Sequence, residues 1–302
     1  MPQHLGHRFI FFYDNIHLFR RADHPEPQSL KSQLYLMLSK FTMFTVGMGC
    51  KLILKGFNTT VVHGKEHLLQ AFDRPRDKPL LSVFNHNSCF DDPGLMGGIL
   101  SAAELADHKN MRWTTSASEI IYTNLTFSKF WALGKTVPVV RGWSPKQPAI
   151  DFLIERLDEG SWVNLFPEAK VSDQRFDGVY KWGVGRLVKE CKHVPVFLPV
   201  YHIGMNRVLP NPSHPAEGQP MIMRPGNLIT VCIGQPIDLA QTKHDAEIKN
   251  LTEEESWSFI TKKIQSSMED LEKKARMIRY YDVINWLKRW HDYKDVYFHL
   301  LT

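Results

Sequence analysis

Pro79-Leu-Leu-Ser-Val-Phe84 is a short apolar run, and Asn85-His86-Asn87-Ser88-Cys89-Phe90-Asp91-Asp92-Pro93 follows it directly. The run has the length and composition of a buried strand. Asp92-Pro93 has the form of a helix N-cap with proline at the first helical position, which predicts a helix to about Leu105. Strand, polar turn and helix in that order form one half of a βαβ unit, and the alternation continues along the chain. Phe57–Val62, Val137–Val140, Ser161–Phe166, Val194–Tyr201 and Leu228–Ile233 read as further strands, bounded by Gly, Pro, Asn or Asp. Ile150, Leu153, Ile154 and Leu157 recur at helical spacing and stop at Gly160, and Gly183–Cys191 carries another short helical pattern. The expectation is an α/β fold, a central mixed sheet flanked by helices.

Both ends of the chain differ from this middle. Residues 1–56 hold seven Lys/Arg against three Asp/Glu, and residues 273–302 hold seven against three again. The whole chain carries only +5, so the stretch between them is slightly acidic. Two basic, aromatic-rich ends on an acidic body suit an anionic surface. With no zinc-knuckle spacing, RNP-like run or polybasic block, a membrane is favoured over nucleic acid. Leu34–Leu54 is apolar but interrupted by Lys40 and Lys51. Its longest uncharged stretch, Phe41–Cys50, covers only ~15 Å as a helix, against the ~30 Å of a bilayer core. An interfacial or re-entrant helix bearing Phe41 and Phe44 is the preferred reading, with a core helix as the alternative. At the other end, Thr252-Glu-Glu-Glu255 is a capping box. It opens a helix whose stripe runs through Trp257, Ile260, Ile264, Met268, Leu271, Ala275 and Ile278. The first part of that stripe reads as packing on the core. Beyond Tyr280, Trp286 and Trp290 beside Lys and Arg suit a headgroup-level anchor.

The 302 residues, 43% hydrophobic and 23% charged, exclude disordered, collagen-like and disulfide-scaffold classes. Three parts are expected: a membrane-associating segment over 1–56, a catalytic domain over 57–240, and a helical extension over 241–302. Residues 209–227, rich in Pro and Gly, read as a surface loop. Cys50, Cys89, Cys191 and Cys232 lie far apart with no C-x-x-C pair, which reads as reduced thiols. No cleavable signal peptide is visible.

Chemistry concentrates after the strands. His86 stands at the C-terminal edge of one strand and Asp91 just before a helix, where α/β sheets bind ligands. A turn between them can bring the carboxylate onto one imidazole nitrogen and leave the other to take a proton from an attacking hydroxyl. No G-x-S-x-G elbow offers a nucleophile, so such a pair suits direct attack by a substrate alcohol. Rival readings are a metal held by His86, Asp91 and Asp92, a nucleophilic Cys89, or a simple capping Asp beside a satisfied His. Arg141-Gly142, then Glu168 and Lys170 in Phe166-Pro-Glu-Ala-Lys170, also follow strands and could converge on the same sheet edge. There Arg would offer a fork and Lys a point charge for phosphate.

In this order and spacing, the Asn-His-x-Ser-x-x-Asp block, the Arg-Gly block and the Phe-Pro-Glu block resemble the glycerolipid acyltransferase family. The resemblance spans roughly residues 57–240. It implies a single acyltransferase-type domain with His86 as general base and Asp91 orienting it, and with Arg141, Gly142, Glu168 and Lys170 at the phospholipid acceptor. Asp91-Asp92-Pro93, Lys181–Leu187 and Leu198–Asn206 further resemble the mitochondrial branch that remodels cardiolipin. That branch exchanges acyl chains between phospholipids such as phosphatidylcholine and lysophospholipids such as monolysocardiolipin. By that resemblance the reaction is ester exchange with no CoA, metal or other cofactor, on mitochondrial membranes facing the intermembrane space. The alternatives are an acyl-CoA-dependent lysophosphatidate-type acyltransferase and a lipid-binding protein with a decayed site. One residue departs from the family pattern: Ala169 replaces the glycine of Phe-Pro-Glu-Gly. If that position needs a positive φ, alanine costs ~1 kcal/mol or more.

Overall fold

The computed structural model describes residues 29–301 apart from 76, 123, 173–175 and 211–221, with side chains up to residue 289. Most of the 209–227 loop, the Trp290 side chain and the basic residues before Ser29 lie outside the described residues. The elements run α1 Leu30–Lys51, β1 Thr59–His63, α2 Lys65–Phe72, β2 Leu80–Phe84, α3 Asp91–Ile99, α4 Ala102–Ala106, β3 Trp113–Ala117 and α5 Ser118–Ile121. They continue with α6 Leu125–Leu133, β4 Thr136–Val139, α7 Pro148–Asp158, β5 Trp162–Leu165, α8 Gly183–Glu190 and β6 Val196–Ile203. Then come α9 Met205–Val208, β7 Leu228–Ile233, β8 Ile237–Asp238, α10 Ala240–Ile248 and α11 Glu253–Leu301.

All six strands expected from the sequence are present, and β3 and the two-residue β8 join them. The sheet order is β1-β7-β6-β2-β5-β3-β4, with β8 pairing on β6. β6, β2, β5, β3 and β4 run parallel to one another, and β7 is antiparallel to β6. The sheet is therefore mixed. Because those five strands share a direction, their C-terminal ends fall on one edge, with β2 between β6 and β5. This is why residues far apart in sequence can meet beyond that edge.

Each β2 side chain is buried, and the pleat sends them alternately to two cores. Leu81 and Val83 face the layer of α7, α8 and α11, with Phe152, Leu187 and Ile260. Leu80 and Phe84 face the layer of α1 and α3, with Leu54, Leu95 and Leu198. The helix expected from Asp92 to Leu105 is two helices. Ser101 caps α4, accepting from the Glu104 amide while Glu104 accepts from the Ser101 amide, and this reciprocal box restarts the chain in a new direction. Helix α7 ends as its stripe predicts, with Gly160 at φ 78° just past it.

Helix α1 packs along α3, α4 and α6. The approach to α3 is backbone-close: a Cβ on Gly97 would lie 2.5 Å from the Lys51 nitrogen and 2.6 Å from the Gly47 oxygen. Gly97→Ala is therefore expected to push α1 off its seat, seen as a lower thermal midpoint and faster proteolysis near residue 50. The packed face of α1 is Ser32, Ser39, Met43, Gly47 and Cys50, and Leu34, Met37, Leu38, Phe41 and Phe44 are exposed on the other. Over Leu30–Gly56 this helix is long and apolar enough to cross a membrane by length and composition. At the far end, α11 begins at the Thr252–Glu255 capping box. It buries Trp257, Ile260, Ile264, Met268 and Ala275. Farther along, Asp282 accepts from Thr230 Oγ1 at 2.7 Å and lies 3.1 Å from His63 Nε2, tying the helix across β7 and β1.

Candidate active site

The seven residues after β2 fold into a tight turn around one carboxylate. Asp91 is fully buried, and its Oδ2 accepts from His86 Nδ1 at 3.0 Å and from the amides of Asn87 at 2.8 Å and Ser88 at 2.9 Å. The turn is held from outside as well. Ser88 Oγ donates to the Leu209 carbonyl, and the Ser172 amide donates to the His86 carbonyl. Asn85 and His202 clasp each other across β2 and β6 through three bonds of 2.8–3.0 Å. With Asp91 accepting at Nδ1, the imidazole carries its proton there, and Nε2 is left as the basic atom. The His86 ring packs on Phe166, 4.5 Å between centroids, and remains partly exposed.

His86 lines a cavity of about 330 Å3 bounded by Met43, Val46, Met96, Leu105, Phe130 and Trp131 on its apolar sides. That volume is at the lower end of ligand pockets. The polar part of its wall is Asp92, Arg112 and the Thr114–Ser116 end of β3. Arg112, which sequence reasoning missed, forms a bidentate pair with Asp92. The metal reading does not match this arrangement, since Asp91 and Asp92 are committed to different partners. Among the described residues no group of three or more His, Cys, Asp or Glu gathers for a metal. Burial pushes the Cys191 and Cys232 thiols up to about 12, which leaves them inert as nucleophiles at neutral pH. Cys89 lies exposed at the cavity wall.

Of the other expected site residues, Glu168 joins the dyad and Arg141 stands apart. Glu168 follows β5, next to β2, is buried, and accepts a hydrogen bond from the His86 backbone. Burial, reinforced by the charges of Asp91 and Glu272, raises its carboxyl from 4.5 to about 8. Arg141 follows β4, three strand positions (~14 Å) from β2. It is exposed and bonded to Glu119 at 2.5 Å. Gly142 beside it has φ 77° and is exposed, as is Lys170. The structure thus brings His86, Asp91 and Glu168 together, leaves Arg141 and Gly142 beyond the edge strand, and exposes Lys170 between Glu168 and the cavity-wall residue Val171.

The raised Glu168 carboxyl has a consequence for stability. The folded state keeps its proton up to about pH 8, whereas an unfolded chain releases it near 4.5. Between those values the unfolded state binds fewer protons, so this group lowers stability as pH rises. Glu168→Gln is expected to flatten that part of a urea-midpoint profile measured from pH 5 to 8.

Ala169 sits at φ 59°, in the left-handed region. Its amide closes the turn onto the Phe166 carbonyl at 3.0 Å. The glycine normally expected there is thus explained by backbone conformation. Ala169→Gly should stabilise the fold by about 1 kcal/mol, read as a shift in the urea midpoint with the slope unchanged.

Comparisons with known proteins identify the family. The acyltransferase family model matches residues 59–203. The chain is 37% identical to the protein called tafazzin in Drosophila melanogaster over 241 residues, 80% of this chain and 62% of the fly protein's length. It is 35% identical to the protein called taffazin in Dictyostelium discoideum over 242 residues, 77% of this chain and 79% of that one. Among solved structures, the 1-acyl-sn-glycerophosphate acyltransferase of Thermotoga maritima matches with a TM-score of 0.46 and 20% identity. That match covers 89% of this chain and 93% of the other.

Proposed function

We propose, from the premise that this chain belongs to the tafazzin family of acyltransferases, that it exchanges acyl chains between a phospholipid and a lysophospholipid without CoA. Cardiolipin and monolysocardiolipin are the pair whose chains it remodels, with phosphatidylcholine as a donor. The observation that carries this reading is the His86–Asp91 pair on the wall of an apolar cavity beside the exposed face of α1. An acyl chain lying in that cavity brings its ester toward Nε2 of His86.

In the proposed mechanism, His86 Nε2 removes the proton from the free glycerol hydroxyl of the lysophospholipid. The oxygen attacks the donor ester carbonyl, and the tetrahedral intermediate collapses by breaking the bond to the donor's glycerol oxygen. That oxygen takes the proton back from Nε2. One ester is made, one is broken, and the base is regenerated, so the exchange needs no energy source. Asp91 stabilises the imidazolium between the two proton transfers.

The substrates are lipids, and the reading places the protein on the mitochondrial membranes at the intermembrane space, lying on an anionic surface. Leu34, Met37, Leu38, Phe41 and Phe44 support a shallow insertion of α1, and Ile120, Leu125 and Phe127 near the cavity extend the same apolar surface. Tyr280, Tyr281 and Leu287, also exposed, support a second contact by α11 beside the half-buried Trp286. Burying a Phe side chain is worth about 1.5–3 kcal/mol. Phe41→Asp with Phe44→Asp should therefore weaken binding to anionic vesicles by at least ~10-fold in a flotation assay.

The decisive assay supplies liposomes of lysocardiolipin and phosphatidylcholine with a labelled acyl chain, and no CoA. Label reaching cardiolipin with the native protein but not with His86→Ala supports the reading. Transfer only on addition of acyl-CoA would replace it with a CoA-dependent acyltransferase.

A further inference from the structure

Away from the dyad, at the end of α1, Lys51, Lys55 and Lys65 line an open cleft of about 490 Å3, with Thr60 and Ser101 between them. Leu52–Gly56 extends α1 as a π-helical turn, so Lys51 and Lys55, four residues apart, emerge on the same side. Lys65 opens α2 just after β1. None of these residues lines the His86 cavity. Helix α3 separates the two places: it starts at Asp91 and reaches the cleft at Ile99, ~13 Å on.

The cleft carries a surplus of positive charge. Lys51 Nζ donates to the Gly97 and Leu100 carbonyls at the end of α3, which leaves one of its three donors over. Lys65 is bound to Glu104 at 2.9 Å, and Lys55 is exposed. The charges acting on Lys51 are Lys55 and Lys65 on one side and Glu104 on the other. Three ammoniums thus meet one carboxylate, and two positive charges remain. Burial first, then the two neighbouring lysines, push the Lys51 ammonium below its usual value. Like charges four residues apart on a helix repel, and an anion in the cleft would remove that cost. Two surplus charges match a dianion. A carboxylate brings one charge, whereas a phosphomonoester brings nearly two and three acceptor oxygens. Those oxygens suffice for Lys51, Lys55 and the Ser101 hydroxyl together. Leu52 and Phe57, beside these lysines in the chain, are 58% and 59% exposed, and they continue the exposed apolar face of α1. With that face in the interface, the lysines come to the level of lipid phosphates.

We propose that Lys51, Lys55 and Lys65 form an accessory phosphate site, which takes a phosphomonoester borne by a membrane lipid or free in solution. This goes beyond the transacylase reading and does not depend on it. Only a few bonds separate the ester of a glycerophospholipid from its phosphate, and the cleft lies ~13 Å along α3 from the dyad. The occupant is therefore not the lipid reacting at His86. Because Lys51 belongs to α1, bonds to the end of α3 and shares the cleft with Lys65 of α2, a bound phosphate also ties these three helices together.

The test uses the full chain and two probes at constant ionic strength. Binding of inorganic phosphate is followed by phosphorus NMR, and binding to phosphatidylcholine vesicles with or without phosphatidate by flotation. Lys55→Glu should weaken phosphate binding, and the part of flotation that needs phosphatidate, by at least ~10-fold. Lys55→Arg keeps the charge and should keep both. Lys262→Glu makes the same change of charge on an exposed residue of α11, in the opposite layer, and should leave both at the native level. Urea midpoints check that each variant is folded. Loss in flotation alone, with no phosphate bound by the native chain, assigns the site to a lipid-borne phosphate. Loss of phosphate binding alone, with flotation unchanged, assigns it to a free one. Equal losses in Lys55→Glu and Lys262→Glu would show net charge acting without a site, and no loss in Lys55→Glu by either probe would overturn it outright.

Discussion

His86→Ala is expected to reduce acyl transfer by about 10²–10⁴-fold, the range a positioned general base supplies, while binding to vesicles stays at the native level. The substitution is a clean one because His86 is partly exposed and touches little beyond Asp91 and Phe166. Without the imidazole, Asp91 still accepts from the amides of Asn87 and Ser88, so the turn keeps its shape. Asp91→Asn tests the same unit less cleanly. It keeps an oxygen to accept from the three N–H groups but removes the charge and puts an NH2 where Oδ1 has no partner, in a fully buried place; hydrogen bonds to charged groups contribute roughly 1.5–3 kcal/mol each, about twice neutral ones. Its activity loss will therefore mix catalysis with folding. Because the two residues act together, the double variant should be scarcely worse than His86→Ala alone. Initial rates on labelled liposomes, with flotation for binding and circular dichroism for folding, decide it. Loss of binding in parallel with rate, or a rate within three-fold of native, would remove His86 from the base's role.

The elements legible in the sequence were those with strong local signals. Leu80–Phe84 and Leu228–Ile233 are apolar runs that burial in a sheet explains on both faces, and the Trp257–Ala275 stripe shows in the same spacing in the structure. Trp113–Ala117 escaped because its Thr-Thr-Ser is polar enough to resemble a turn, although Trp and two Thr are ordinary strand residues. The break before α4 had a local signal, Ser101 three residues ahead of Glu104, that was overshadowed by continuous apolarity around it. Strand order was not legible at all, since it depends on pairings between residues more than a hundred apart, such as Leu80 with Val196.

The same division applies to the site. The His86–Asp91 contact spans five residues, so a single turn determines it, and the spacing sufficed. Glu168 reaches the dyad because β5 pairs directly with β2. Arg141 follows the edge strand β4, and position after a strand says nothing about how many strands intervene. Arg112 and the Asn85–His202 clasp carried no motif; they matter only through tertiary contacts.

Arg112→Leu is expected to cost about 3–5 kcal/mol, the usual result of leaving one charge of a buried pair without its partner. The Arg112 and Asp92 side chains are 5% and 10% exposed, and the guanidinium meets both carboxylate oxygens. Solvent cannot take over the role of the lost cation. Arg112 immediately precedes β3, and Asp92 stands between Asp91 and the body of α3, with an extended φ of −122°. The pair thus fixes the chain next to the residue that orients His86, and the variant should lose turnover beyond its loss of folded protein. Arg112→Lys keeps the charge but not the fork, so it should fall between native and Arg112→Leu. Arg112→Leu combined with Asp92→Asn removes both charges and should recover at least half of the lost stability. Urea midpoints for the four proteins, with rates measured where each is folded, provide the cycle. A double variant no more stable than Arg112→Leu would show that the guanidinium acts through packing alone, and native turnover in the folded fraction would sever Arg112 from the site.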